Sequence, residues 1–130
     1  MDEQRGHQRL KTQVLVEIKI QKTGNGQMDI RYIEATTRDL SAGGIFIELA
    51  GTQFSEQSDF RVDDFLLLKY PIQLRILLPN QEDLIQAEGK AVWIEKRLPG
   101  EGCRHGVAIT FTLIDPQDRK SIDNFVLTRL

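Results

Sequence analysis

Apolar and polar residues alternate along much of this chain, and the alternation breaks at clusters of turn-forming residues. Val14, Val16, Ile18 and Ile20 are interleaved with Leu15, Glu17, Lys19 and Gln21. A period of two sends alternate side chains to opposite faces of an extended chain, so this stretch predicts a half-buried strand. Thr23-Gly24-Asn25-Gly26 follows, and the alternation resumes at Met28, Ile30 and Tyr32, which together read as a hairpin closed by a tight turn. Asp39-Leu40-Ser41-Ala42-Gly43-Gly44 is a turn-rich hexapeptide leading into a short apolar strand, Ile45-Phe46-Ile47-Glu48-Leu49. Residues 50–64 are polar and read as a long loop, tethered by Phe54, Phe60 and Phe65. Ile72, Leu74, Ile76 and Leu78 alternate again and stop at a Pro79-Asn80 turn. The next strand runs from Leu84 to Glu95, with Gly89 marking a bulge or a close backbone approach. Pro99-Gly100-Glu101-Gly102 turns the chain into a last strand from His105 to Leu113.

The period then changes. Asp115-Pro116 reads as an N-cap followed by proline at the first helical position, with Asp118 in the first turn. Ile122, Phe125, Val126 and Arg129-Leu130 fall on one helical face, predicting a C-terminal amphipathic helix over residues 115–129. Short strands at regular spacing followed by one helix define a mainly β fold, a small antiparallel barrel closed or flanked by that helix. No internal repeat or second domain interrupts it.

Composition narrows the class. The 130 residues suit one domain with one core, and 40% hydrophobic with 28% charged residues argues against disorder. A net charge of -2 excludes a protein that coats duplex nucleic acid, while leaving room for a local basic patch facing a small anion. No apolar run approaches the roughly 20 residues of a membrane span, and the polar start Met1-Asp2-Glu3-Gln4-Arg5 is unlike a signal peptide. A single cysteine, Cys103, suits a reducing cytoplasm, so a soluble cytoplasmic protein without membrane insertion is expected. Cys103 and His105 do not make a zinc site without further ligands. Asp63-Asp64 reads as a solvated pair, not as an acid-base dyad, and no nucleophile-base pair or phosphate loop is present; neither an enzyme nor a cofactor is expected.

Two segments carry candidate chemistry. Arg5-Gly6-His7-Gln8-Arg9 places two arginines four residues apart, which alone reads as a solvated basic segment. Asp39 to Gly44 alone reads as a turn in which Asp and Ser bond the backbone. In combination, Arg-x-x-x-Arg, a hairpin and then Asp-x-Ser-x-x-Gly before an apolar strand resemble the paired signature of PilZ domains. Gly89-Lys90-Ala91-Val92-Trp93, Gly106-Val107-Ala108-Ile109-Thr110-Phe111 and Asp115-Pro116-Gln117-Asp118-Arg119 resemble later parts of that family in the right order, so the likeness covers almost the whole chain.

The resemblance implies a six-stranded split β-barrel over residues 13–130 with a C-terminal helix, preceded by a flexible segment, 1–12. It implies a stand-alone receptor for cyclic di-GMP that relays the signal to an unidentified protein partner in motility, exopolysaccharide production or adhesion, without DNA or RNA. The ligand residues it implies are Arg5, Arg9, Asp39, Ser41, Gly43, Gly44 and Trp93. Their chemistry suits this ligand. A guanidinium pairs with phosphate or with guanine O6 and N7 and stacks on bases. A carboxylate accepts from guanine N1 and N2, a serine adds a hydroxyl, and glycine admits backbone closely. Trp93 either stacks on a guanine or is a core or rim aromatic. His7 reads as solvated, and Arg38 as a surface strand residue able to supplement the anion site. Gln4, where some relatives carry a further arginine, leans toward one bound ligand molecule. With few apolar residues, the Arg5–Arg9 segment is expected to be loose without ligand and ordered by it. Two alternatives stand beside this reading. One is a PilZ-like protein-interaction module that does not bind nucleotide. The other, a single-strand-binding barrel, wants exposed aromatics interleaved with basic residues, of which this chain has few.

Overall fold

The structure, a computed structural model, describes residues 8–24, 26–50, 61–79, 84–96 and 104–130. Its elements are β1 (Arg9–Lys11), β2 (Leu15–Gly24), β3 (Gln27–Ser41), β4 (Gly44–Ala50), a 3-10 helix (Val62–Leu67), β5 (Ile72–Leu77), β6 (Ile85–Lys96), β7 (Arg104–Ile114) and α1 (Pro116–Arg129). The strands hydrogen-bond in the order β1-β3-β2-β5-β6-β7-β4, and β4 returns to pair with β3. Strands β2 to β7 therefore close into a six-stranded antiparallel barrel, and β1 is an extra strand laid on β3. The barrel is the architecture the resemblance implied.

Closure depends on the 15 residues of β3. Its first part pairs with β2, from Gln27 opposite Gly24 to Thr36 opposite Leu15. Its last part pairs with β4, from Thr36 opposite Glu48 to Ser41 opposite Gly44. One strand thus belongs to both sheet halves. The hairpin between β2 and β3 is the tight turn expected there, and Gly26 has φ +76°, a conformation that L side chains rarely adopt.

Inside the barrel lie the residues the alternation selected. Val16, Ile18 and Ile20 of β2, Leu74 and Ile76 of β5, and Val107 and Ile109 of β7 are all buried. Helix α1, packed on β3 and β1, adds Ile122, Phe125 and Val126 to the core, while Leu130 is 64% exposed and lies off the apolar face assigned to it. The Asp115 carboxylate accepts the Gln117 N–H at 2.8 Å, as the N-cap reading requires. Gly89 sits at a register shift and close to the Thr110 carbonyl, so both readings of it hold.

The loop expected over residues 50–64 overlaps regular structure at both ends, since Ala50 closes β4 and a short helix begins at Val62. Residues 62–67 form the 3-10 helix, with Val62 and Phe65 buried in the core. Asp64 accepts the Arg61 N–H at 2.8 Å and the Lys22 ammonium at 3.1 Å, and Asp63 accepts Lys96 at 2.8 Å. Asp63 and Asp64 therefore tie this turn to β2 and β6 and are not merely solvated. Of the three expected tethers, Phe65 is buried, while Phe54 and Phe60 lie outside the described residues. No helix among the described residues is long and apolar enough to cross a membrane.

Candidate functional site

The registers place the motif residues on the outer face of one stretch of barrel wall. Leu40, Ile45, Ile109 and Ala91 are paired in sequence across β3, β4, β7 and β6, and all four are buried in the core. Side chains alternate along a strand, so the rows on either side of that one point outward. The first outer row is Arg9, Ser41, Gly44, Thr110 and Lys90. The second is Lys11, Asp39, Phe46, Ala108 and Trp93. Adjacent strands are about 4.8 Å apart, so five strands make a face roughly 19 Å wide.

Two β-bulges aim the key side chains at this face. Thr37 pairs with Ile47 and Asp39 with Phe46, so Arg38 is an extra residue in β3. Thr37 and Leu40 face inward, which leaves Arg38 and Asp39 side by side on the outside. In β6, Ala91 pairs with Ile109 and Trp93 with Ala108, making Val92 the extra residue. Val92 and Trp93 are consequently both exposed, at 57% and 53%. Bulges of this kind re-aim a side chain without ending the strand.

Around Asp39 the face is cationic. The Arg9 guanidinium comes within 3.9 Å of the Asp39 carboxylate, which is mostly shielded from solvent. Lys11 and Lys90 lie on the same rows. Arg38 stacks over the Phe46 ring, 4.6 Å from its centroid, and reaches Glu95 at 3.8 Å. Phe46 is 4% exposed although it faces outward, because Arg38 covers it, Trp93 meets it at 5.8 Å between centroids, and its ring fills the space over Gly106. The Arg38 guanidinium over the buried Phe46 ring and the half-exposed Trp93 indole, tilted 46° from that ring, lie beside a carboxylate flanked by cations. Such a surface suits a planar, anionic ligand.

Ser41 and the glycines hold the turn. Ser41 Oγ accepts the N–H groups of Gly43 and Gly44, each at 3.2 Å, and the hydroxyl donates to the Gly44 carbonyl at 3.3 Å. The Gly43 carbonyl accepts the Phe111 N–H at 3.0 Å. A Cβ on Gly44 would strike the Ile109 carbonyl oxygen, so this glycine is required by the seam between β4 and β7. Trp93 is a surface aromatic, not a core one. Arg5 and His7 lie outside the described residues, as does Cys103; among the described residues no group of side chains is placed to hold a metal ion. Lys11, Phe46 and Lys90 went unrecognised in the sequence, although the spacing of Lys90 from Trp93 and of Phe46 from Asp39 is plain once the register is known. A concavity of about 1080 Å³, lined by Glu17, Lys19, Gln73 and Arg75 among others, lies elsewhere on the wall, with no motif residue among its described lining. Charge and planar groups converge on the motif face, which is the candidate site.

A family model described as the PilZ domain matches residues 3–128. The chain belongs to the PilZ domain family. Solved structures share its fold at low identity. The Bacillus subtilis inhibitor of motility, MotI/DgrA, is 18% identical with a TM-score of 0.64; 95% of this chain covers 49% of that one. The PilZ domain of YcgR from Escherichia coli, solved with c-di-GMP, is 12% identical with a TM-score of 0.55, covering 94% of this chain and 88% of that one. PlzA of Borreliella burgdorferi, also solved with c-di-GMP, is 7% identical with a TM-score of 0.56, covering 94% and 51%. This PilZ domain thus spans about half the length of MotI/DgrA and PlzA. No curated protein matches it in sequence.

Proposed function

We propose that this PilZ domain is a receptor for cyclic di-GMP and that its motif face is the binding site. The observation that carries the reading is the convergence of Arg9, Asp39 and the Ser41 turn with the Arg38–Phe46–Trp93 surface on one outer face of a PilZ barrel. Arg5 and Arg9 pair with phosphate or the guanine Hoogsteen edge, and Asp39 accepts from guanine N1 and N2. Trp93 offers a stacking plane. The β1–β3 register sets Arg9 beside Asp39, and Ser41, Gly43 and Gly44 hold the turn that follows. Binding docks the segment preceding β1 over this face and so presents a new surface to a protein partner in motility, exopolysaccharide production or adhesion.

The reading is tested by isothermal titration of cyclic di-GMP into the protein, with Arg9→Ala and Asp39→Ala alongside. Losing a charge-assisted contact costs about 2 kcal/mol, or roughly 30-fold in affinity, for each variant. Saturable binding to the wild type that weakens this much in both variants supports the receptor. Absence of binding to a folded wild type overturns it and favours a PilZ-like interaction module. Hydrogen exchange of residues 1–8, ahead of β1, should slow with ligand bound, and unchanged exchange would remove the docking step.

A further inference from the structure

Among the described residues, the same strand that closes the barrel leaves part of one edge open. β4 pairs with β3 only over Thr36 to Ser41, and no described strand pairs with residues 27–35 on that side. The Thr37 N–H donates to the Val14 carbonyl on the β2 side. Backbone groups alternate in direction along a strand, and the β2–β3 register is unbroken from Thr36 to Gln27, so Met28, Ile30 and Tyr32 turn their N–H and C=O groups toward the open edge. Their side chains are exposed apolar groups on one face, at 46%, 45% and 76%. Asp29 and Arg31 occupy the other face and are 3.3 Å apart. An exposed edge with unpaired backbone groups is a template for another strand.

We propose that this edge pairs with the same edge of a second copy, about a two-fold axis at Ile30. The charges select this partner and register. Antiparallel self-pairing at Ile30 sets Asp29 opposite Arg31 twice, Met28 opposite Tyr32 twice, and Ile30 opposite itself. Centring one step away, on Arg31 or on Asp29, sets like charges opposite each other, which is unfavourable. At the Ile30 register the backbone groups of Met28, Ile30 and Tyr32 form the hydrogen-bonded pairs. Asp29 and Arg31 then fall in the closer, non-bonded pairs, about 4.5 Å between Cα atoms, where an ion pair forms readily. The apolar face gains Met28–Tyr32 contacts on both sides of the axis. So few residues make an interface below the roughly 1,200 Å² of stable complexes, so the dimer is weak and concentration-dependent.

Sedimentation velocity of the full chain from about 10 μM to about 1 mM tests this. The wild type should shift from monomer toward dimer, less so at high salt. Asp29→Arg alone and Arg31→Asp alone each face like charges and should associate at least tenfold more weakly, while an equimolar mixture of the two should recover the dimer. Ile30→Pro removes an edge N–H without touching the β2 ladder and should abolish association. A wild type that stays monomeric overturns the proposal, as does any single variant that dimerises like the wild type. So does a mixture of the two charge variants, each folded by circular dichroism, that remains monomeric.

Discussion

Replacing Gly44 by alanine separates the structural from the ligand role of the Asp-x-Ser-x-x-Gly turn. A Cβ at this position falls on the carbonyl oxygen of Ile109 and lies 3.2 Å from the Cα of Thr110. Both are backbone atoms of β7, and Thr110 is the residue paired with Gly44. No side chain can swing aside, so the seam between β4 and β7 must open locally. The Phe111 N–H bond to the Gly43 carbonyl sits at that point. Overpacking against a fixed neighbour costs about 1–3 kcal/mol, and a strained or broken ladder bond adds about 1 kcal/mol. The lower chain entropy of alanine in the unfolded state offsets about 0.5 kcal/mol. The net loss is about 2.5 kcal/mol, which for a domain of this size lowers Tm by about 10 °C. The assay is urea unfolding and thermal melting without ligand, followed by the fluorescence of the single tryptophan and by circular dichroism. A Gly44→Ala protein as stable as the wild type, yet unable to bind cyclic di-GMP, would refute the reasoning and place Gly44 against the ligand instead of against β7.

Gly106→Ala provides the contrast: its Cβ meets the Phe46 ring and not backbone, so the ring moves, stability falls by less than in Gly44→Ala, and the Trp93 emission packed against that ring changes. Thr37→Val keeps the shape of a buried side chain but removes the acceptor of the Val14 N–H and the donor to the Thr12 carbonyl. Urea titration should show a loss of about 1–3 kcal/mol from the stranded backbone group. Asp115→Ala deletes the N-cap of α1 and should cost about 1 kcal/mol in the same titration, with binding at the motif face unchanged.

The barrel was legible because most of it is written in local rules. Val14 to Ile20 and Ile72 to Leu78 place an apolar residue at every second position, and Asp115-Pro116 is a local helix-start signal. What stayed hidden depends on partners distant in sequence. Arg9-Leu10-Lys11 has no period of its own and is a strand only because the end of β3 offers it residues 39–41. Val62 to Leu67 carries two acids that look solvated until Lys22 and Lys96 arrive from other strands. The open edge of β3 was equally invisible, since it exists only because β4 stops pairing at Thr36.

The candidate site was named in the sequence without a reason why its side chains should point outward. With Ala35 and Thr37 buried, strict alternation would send Asp39 into the core and Leu40 into solvent. Likewise, with Ala87 and Ala91 buried, alternation would bury Trp93. The extra residue in each strand, Arg38 in β3 and Val92 in β6, reverses both outcomes. The two bulges lie on strands that are not neighbours, yet the residues after them fall on one outer row, joined through Phe46 and Ala108. Burial alone gives no cause for breaking the period twice, because each break exposes a residue or brings a charge to the surface beside an aromatic. A shared row of ammonium, carboxylate and indole, with the Arg38 guanidinium beside it, does give a cause. Departures from local pattern gather where chemistry, not packing, sets the requirement.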